Sequence, residues 1–138
     1  MQMGEKTTWK ALVVDDEESV REFVAAVLAD QGWEVLEAKD GDEALQSALT
    51  HLPDLIVLDI MMPGKDGVEA FGELRTDPRT THIPIIVLTS VNEYRLGAEL
   101  TPESIAAQFG ARLPEAFLQK PIETDDLLRV IKEVTTGM

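Results

Sequence analysis

An α/β fold, a doubly wound parallel sheet with helices on both faces, is predicted by three features of the sequence. Short apolar runs such as Leu55-Ile56-Val57-Leu58 and Ile85-Ile86-Val87-Leu88 have the length and β-branched content of strands buried on both faces. Segments with apolar residues at helical spacing separate them, so strands and helices alternate. The runs end on residues that carry chemistry: Asp15-Asp16, Asp59, Thr89-Ser90 and Lys120. Parallel strands bring such ends to one edge, outside which ligands bind.

The elements follow in order. Met1 to Trp9 has no periodicity and is expected to be a flexible tail, leaving one domain over residues 10–138 and no output domain. Lys10 to Val14 leads as a strand into Asp15-Asp16. From Ser19, Val20, Phe23, Val24, Val27 and Leu28 mark a helix that Gly32 is placed to end. Trp33 to Ala38 is the second strand, and Ala44, Leu45, Ala48 and Leu49 mark a helix stopped by Pro53. The strand ending at Asp59 breaks at Pro63-Gly64, and Asp66-Gly67 opens a helix carrying Val68, Phe71 and Leu74 up to Asp77-Pro78. Pro84 to Ser90 is the fourth strand and Ala116 to Lys120 the fifth. Thr124 is expected to cap a last helix, with Asp125 and Asp126 in its first turn and Leu127, Leu128, Ile131 and Val134 inward.

Composition narrows the function. The 138 residues carry 12 Lys plus Arg against 26 Asp plus Glu, a formal charge of −14, which argues against binding nucleic acid, where cations must neutralise phosphates. There is no Cys, so disulfides and thiolate zinc sites are excluded. No apolar stretch is long enough for a bilayer and the first residues lack a signal-peptide core, so a cytoplasmic protein without membrane contact is expected.

Two adjacent carboxylates at a strand end repel by roughly 4 kcal/mol at 4 Å and an effective dielectric near 20, a cost that a hard divalent cation reverses. Asp15, Asp16 and Asp59 suit Mg²⁺, while the Thr89 hydroxyl and Lys120 ammonium suit phosphoryl oxygens. Each residue also has a plainer reading. Asp59 can cap the next turn, Thr89 can bond nearby backbone, and Lys120 can be a solvated lysine before a proline.

Val13-Val14-Asp15-Asp16-Glu17, Leu58-Asp59-Ile60-Met61-Met62-Pro63-Gly64, Leu88-Thr89-Ser90 and Gln119-Lys120-Pro121, taken together, resemble the receiver domain of two-component response regulators, from about Lys10 to Val134. The resemblance implies a flavodoxin-like, five-stranded sheet of order 2-1-3-4-5 and Mg²⁺-dependent phosphoryl transfer from a phosphohistidine to Asp59. The donor would be a sensor histidine kinase or phosphotransfer protein. Asp16 matches the direct Mg²⁺ ligand, Asp15 its usual partner through water, and the Met61 carbonyl another ligand. Thr89 and Lys120 match the residues that bind the phosphoryl group. Thr89 and Phe117 match the switch pair, Phe117 lacking the hydroxyl of the commoner Tyr; its plainer reading is an edge-strand core residue. The aspartyl phosphate would switch the binding of an unknown downstream protein by a monomer or weak dimer, with no small-molecule turnover. A phosphorelay intermediate or phosphate sink is the alternative.

Two departures from the family bear on function. Thr89 and Lys120 stand 31 positions apart, more than is usual. Residues 91–101 supply the excess, with no clear period over Asn92 to Gly97, and Thr101-Pro102-Glu103 then opens a displaced helix through about Phe109, stopped by Gly110. The long loop is either a lid or partner contact beside Asp59 or a tolerated insertion. Deleting Asn92 to Leu100 without loss of phosphorylation or binding would decide for the insertion. Met61 and Val91 match positions that tune hydrolysis; both are apolar, predicting a slow loss of the phosphoryl group that a lifetime of seconds under saturating Mg²⁺ would contradict. Two other function classes fit poorly. An aspartate-nucleophile phosphatase needs a second Asp soon after the nucleophile, where Ile60 and Met61 stand, and a flavodoxin-like cofactor binder needs a phosphate loop where Asp15-Asp16-Glu17-Glu18 would repel one.

Overall fold

The computed structural model describes residues 8–60, 67–90, 94–95, 98–99, 107 and 112–136. Seven strands lie among them: β1 (Lys10–Val14), β2 (Glu34–Ala38), β3 (Leu55–Asp59), β4 (Ile85–Ser90), β5 (Tyr94–Arg95), β6 (Ala98–Glu99) and β7 (Ala116–Lys120). The helices are α1 (Glu18–Asp30), α2 (Gly41–His51), α3 (Gly67–Thr76) and α4 (Thr124–Thr135). Five strands form one parallel sheet in the order β2-β1-β3-β4-β7, the expected 2-1-3-4-5 of the strands read from the sequence.

Side chains alternate across each strand, so one run of residues serves two cores. Leu12, Val14, Ile56, Leu58, Ile85 and Val87 join Ala44 and Ala48 of α2 and Phe71 and Leu74 of α3 on one face. Ala11, Val13, Leu55, Val57, Ile86 and Leu88 meet Val24 and Leu28 of α1 and Leu127, Val130 and Ile131 of α4 on the other. All five residues of β3 are buried, as a central strand covered on both faces requires. Burying each such aliphatic side chain contributes about 1.5–3 kcal/mol. A strand so anchored at its body holds Asp59, at its carboxyl end, in a fixed place.

The helix ends follow local chemistry. α1 ends at Gln31, and Gly32 follows at φ +92°, the left-handed conformation that glycine adopts without strain. α2 starts behind Asp40, whose Oδ1 accepts a 2.8 Å bond from the Glu43 N–H. It ends at Leu52, left-handed at φ 45°, because Pro53 disfavours a helical residue before it.

Four local expectations are corrected. Thr124 does not cap the last helix: it is the first residue of α4, and the cap position belongs to Glu123, whose side chain makes no capping hydrogen bond. On the same helix Val130 is buried, whereas Leu128 is half-buried. Trp9 does not belong to a tail. Its ring packs on Trp33 at 6.4 Å between centroids, and its carbonyl accepts a 2.8 Å bond from Glu34 at the start of β2. The stretch without period also holds structure, since β5 and β6 pair antiparallel, Tyr94 with Glu99 and Arg95 with Ala98. Two-residue strands are too short for alternation to show. The expected helix over 101–109 lies outside the described residues except for Ala107, which is helical.

Candidate functional site

The carboxyl ends of β1, β3, β4 and β7 converge as the alternation implied. Register puts Asp59 beside Leu88, one residue short of Thr89, and pairs Thr89 with Gln119 and Ser90 with Lys120. Oxygens of Asp15, Asp16 and Asp59 all lie within 4.8 Å of one another. Their settings differ. Asp15 and Asp59 are buried, whereas Asp16, beyond the end of β1, is exposed.

Lys120 ties this cluster to β7. Its Nζ stands 2.8 Å from Asp15 Oδ2, 3.3 Å from Asp59 Oδ2 and 3.5 Å from Glu17 Oε1. Burial alone would lower the pKa of this ammonium. The close contact with Asp15 and the charges of Asp59 and Asp15 outweigh burial and hold the pKa above its ordinary 10.5. The Lys120–Pro121 bond that follows is cis.

Asp15 is fixed from two further sides. Its Oδ1 accepts a 2.9 Å bond from the Glu17 N–H, and its carbonyl accepts one of 2.9 Å from Arg21 on α1. The Asp15 Oδ2 is held by Lys120, whose Nζ stands 2.8 Å away. Three carboxylates within 4.8 Å of one another, two of them buried, and an all-oxygen donor set fit a hard divalent cation such as Mg²⁺.

Behind the cluster α3 begins in direct contact with β3. The Gly67 N–H donates to the Ile60 carbonyl at 3.2 Å, and a Cβ on Gly67 would fall on the Asp59 carbonyl oxygen and the Ile60 Cα. Backbone cannot yield there, so only glycine fits. Thr89 is buried at 8% exposure, and Phe117 is partly buried against the core that holds Leu58 and Val87. The expected roles of Met61 and Val91 fall outside the described residues.

Sequence reasoning missed a second polar network, at the opposite edge of the sheet. Arg75, at the end of α3, is buried and donates to the carbonyls of Ile83 at 2.9 Å and Leu113 at 2.7 Å and to Glu115 Oε1 at 2.6 Å. Glu115 Oε1 also accepts the Ile85 N–H at 2.7 Å. The network thus joins α3, the start of β4 and the chain entering β7. Its partners are 40 positions apart, and no periodicity relates an arginine in a last helical turn to a glutamate before a strand.

A doubly wound sheet whose carboxyl edge gathers carboxylates around one lysine defines the class, an α/β protein with an acidic site built for a cation and an anionic group. The chain belongs to the response regulator receiver domain family, which matches residues 11–132. It is 31% identical over 128 residues to Protein PilH of Pseudomonas aeruginosa, covering 93% of this chain and 98% of that one. It is 43% identical over 83 residues to Response regulator PleD of Caulobacter vibrioides, 60% of this chain but 18% of that protein. Among solved structures it resembles chemotaxis response regulator CheY4 of Vibrio cholerae, with TM-score 0.77 and 34% identity over 93% of this chain and 99% of that one. A response regulator of Chloroflexus aurantiacus is similar at TM-score 0.77 and 31% identity, over 93% and 98% of the two chains. Receiver domains of this family generally bind Mg²⁺ at an acidic pocket, act with histidine kinases or phosphotransfer partners, and generally do not turn over small molecules. No helix among the described residues is long and apolar enough to cross a membrane.

Proposed function

We propose that this chain is a phosphoacceptor of a two-component system in which Asp59 takes a phosphoryl group from a kinase or phosphotransfer phosphohistidine. The observation that carries the reading is a buried carboxylate at the end of the central strand, 3.3 Å from a lysine and within 4.8 Å of two further carboxylates. A carboxylate oxygen of Asp59 attacks phosphorus, the bond to the imidazole nitrogen breaks, and the imidazole leaves with the bonding pair. A carboxylate nucleophile has no proton to lose in this step, so no general base is needed.

The remaining residues position and neutralise. Asp15 and Asp16, with Asp59 and the Met61 carbonyl, would hold Mg²⁺, which when bound neutralises charge on the phosphoryl oxygens. Lys120 already bridges Asp15 and Asp59, so it follows any change of charge on Asp59 without a long movement. Thr89, buried on the neighbouring strand, offers its hydroxyl to the phosphoryl group, and Phe117 two positions before Gln119 reports the change on the β4–β7 face. The added charge and acceptor oxygens would then alter binding of a downstream protein.

Intact-mass measurement after incubation with acetyl phosphate and Mg²⁺ tests the reading. The expected result is one added phosphoryl group, absent in Asp59→Asn and absent with EDTA. Undiminished uptake by Asp59→Asn would overturn it.

A further inference from the structure

Glu17 brings to this edge a charge that the proposed chemistry does not use. It follows Asp15 and Asp16 and stands at the cap of α1, yet its side chain bonds no N–H of that helix. Its carboxylate is instead 61% exposed, with Oε1 3.5 Å from Lys120 Nζ. Glu17 and Lys120 line a groove of about 450 Å³ together with Ser19, Val20, Phe23, Pro121 and Ile122. A small molecule lying in this groove meets Lys120, the contact of Asp59, and Glu17 at once.

Among the described residues, Asp15, Asp59 and Glu17 contact the Lys120 ammonium, and Asp16 stands with the two aspartates. Arg21, on the next turn of α1, is engaged by Glu37 at 3.3 Å. Of these four carboxylates, a divalent cation among the three aspartates and the one ammonium would offset three, and Glu17, outside that cluster, keeps its charge. Its exposure keeps it in reach of an incoming donor without burying it.

We propose that Glu17 selects phosphoryl donors by charge, disfavouring dianionic acyl phosphates relative to donors whose leaving nitrogen is protonated. The proposal rests on Asp59 being the phosphoacceptor. With acetyl phosphate, a new bond forms between an Asp59 oxygen and phosphorus, and the bond from phosphorus to the acetyl oxygen breaks, releasing acetate with the pair. With phosphoramidate the phosphorus–nitrogen bond breaks and the protonated nitrogen departs with the pair as ammonia. The first donor brings its full negative charge past Glu17, whereas the second carries a compensating positive charge on the group that leaves. Glu17 acts here as a positioning and selecting group and touches no reacting atom.

Initial rates of phosphoryl uptake at saturating Mg²⁺, measured with both donors on the unaltered chain, Glu17→Gln and Glu17→Lys, test this. Glu17→Gln is expected to raise kcat/KM for acetyl phosphate about three- to tenfold through KM, and to change that for phosphoramidate less than about twofold. Glu17→Lys extends the same trend. The difference between donors is expected to shrink toward zero near 1 M salt, where the screening length is only about 3 Å. An unchanged ratio between donors, or a ratio indifferent to salt, overturns the role of Glu17 and leaves Asp59 as acceptor. Absence of uptake by the unaltered chain from both donors overturns the acceptor reading and this proposal with it.

Discussion

Lys120 is the residue on which the two sides of the site depend. Asp15 and Asp59 are 0% and 1% exposed at their side chains, and Lys120, at 14%, faces both. Removing one partner of a buried charge pair leaves the other uncompensated, which costs about 3–5 kcal/mol. Lys120→Met is therefore expected to destabilise the metal-free protein by about 3 kcal/mol in urea unfolding with EDTA. The pH dependence has a definite sign. A lysine with a raised folded-state pKa contributes fully below its unfolded value of 10.5 and loses the contribution as pH rises through the folded value. The difference between Lys120→Met and the unaltered chain should thus stay constant from about pH 7 to about pH 10 and narrow only above the ordinary lysine range. A difference that collapses between those two values would show that Lys120 is not held by these carboxylates. At this scale Asp15, Asp16, Asp59, Thr89 and Lys120 were legible as strand-end chemistry. The unequal burial of Asp15 and Asp16 was not, because it depends on where β1 stops and the chain turns.

Among the elements, α3 is held at both ends. Gly67 seats its start on β3, and Arg75 binds its last turn to β4 and the approach to β7. Burial lowers the Arg75 pKa and Glu115 opposes that lowering, so the guanidinium remains a cation with several acceptors at fixed positions. Arg75→Met leaves Glu115 and the Ile83 and Leu113 carbonyls without this donor, and a loss of about 3–5 kcal/mol is expected in equilibrium unfolding. Arg75→Lys should recover little of it, because one ammonium cannot reproduce the planar fork that reaches several carbonyls and a carboxylate. Recovery of most of the stability by lysine would mean that charge alone suffices. Strand and helix succession was visible in apolar spacing, since burial enforces it. The cap of α4, the β5–β6 pair and the packing of Trp9 on Trp33 were not, because each is decided by contacts that spacing does not encode.

Across the whole molecule, a formal charge of −14 makes cation binding a matter of stability as well as chemistry. A ligand that binds only the folded state stabilises it by about 2.7 kcal/mol at a hundredfold excess over Kd. Mg²⁺ is expected to raise the urea midpoint accordingly, and Asp16→Asn, which removes the exposed member of the cluster, is expected to reduce the gain strongly. An equal gain in Asp16→Asn, or one reproduced by monovalent salt of the same ionic strength, would assign the effect to general screening. The sequence by itself determined the alternation of strands and helices, the parallel sheet and the edge at which its chemistry collects. Those follow from periodicity and from the rule that parallel strands end together. Only the tertiary structure decided which oxygens surround Lys120, that Asp15 is buried while Asp16 is not, that Glu17 joins the lysine, and that Arg75 closes the opposite edge. These depend on distances between residues up to 103 positions apart, which packing sets and local sequence does not record.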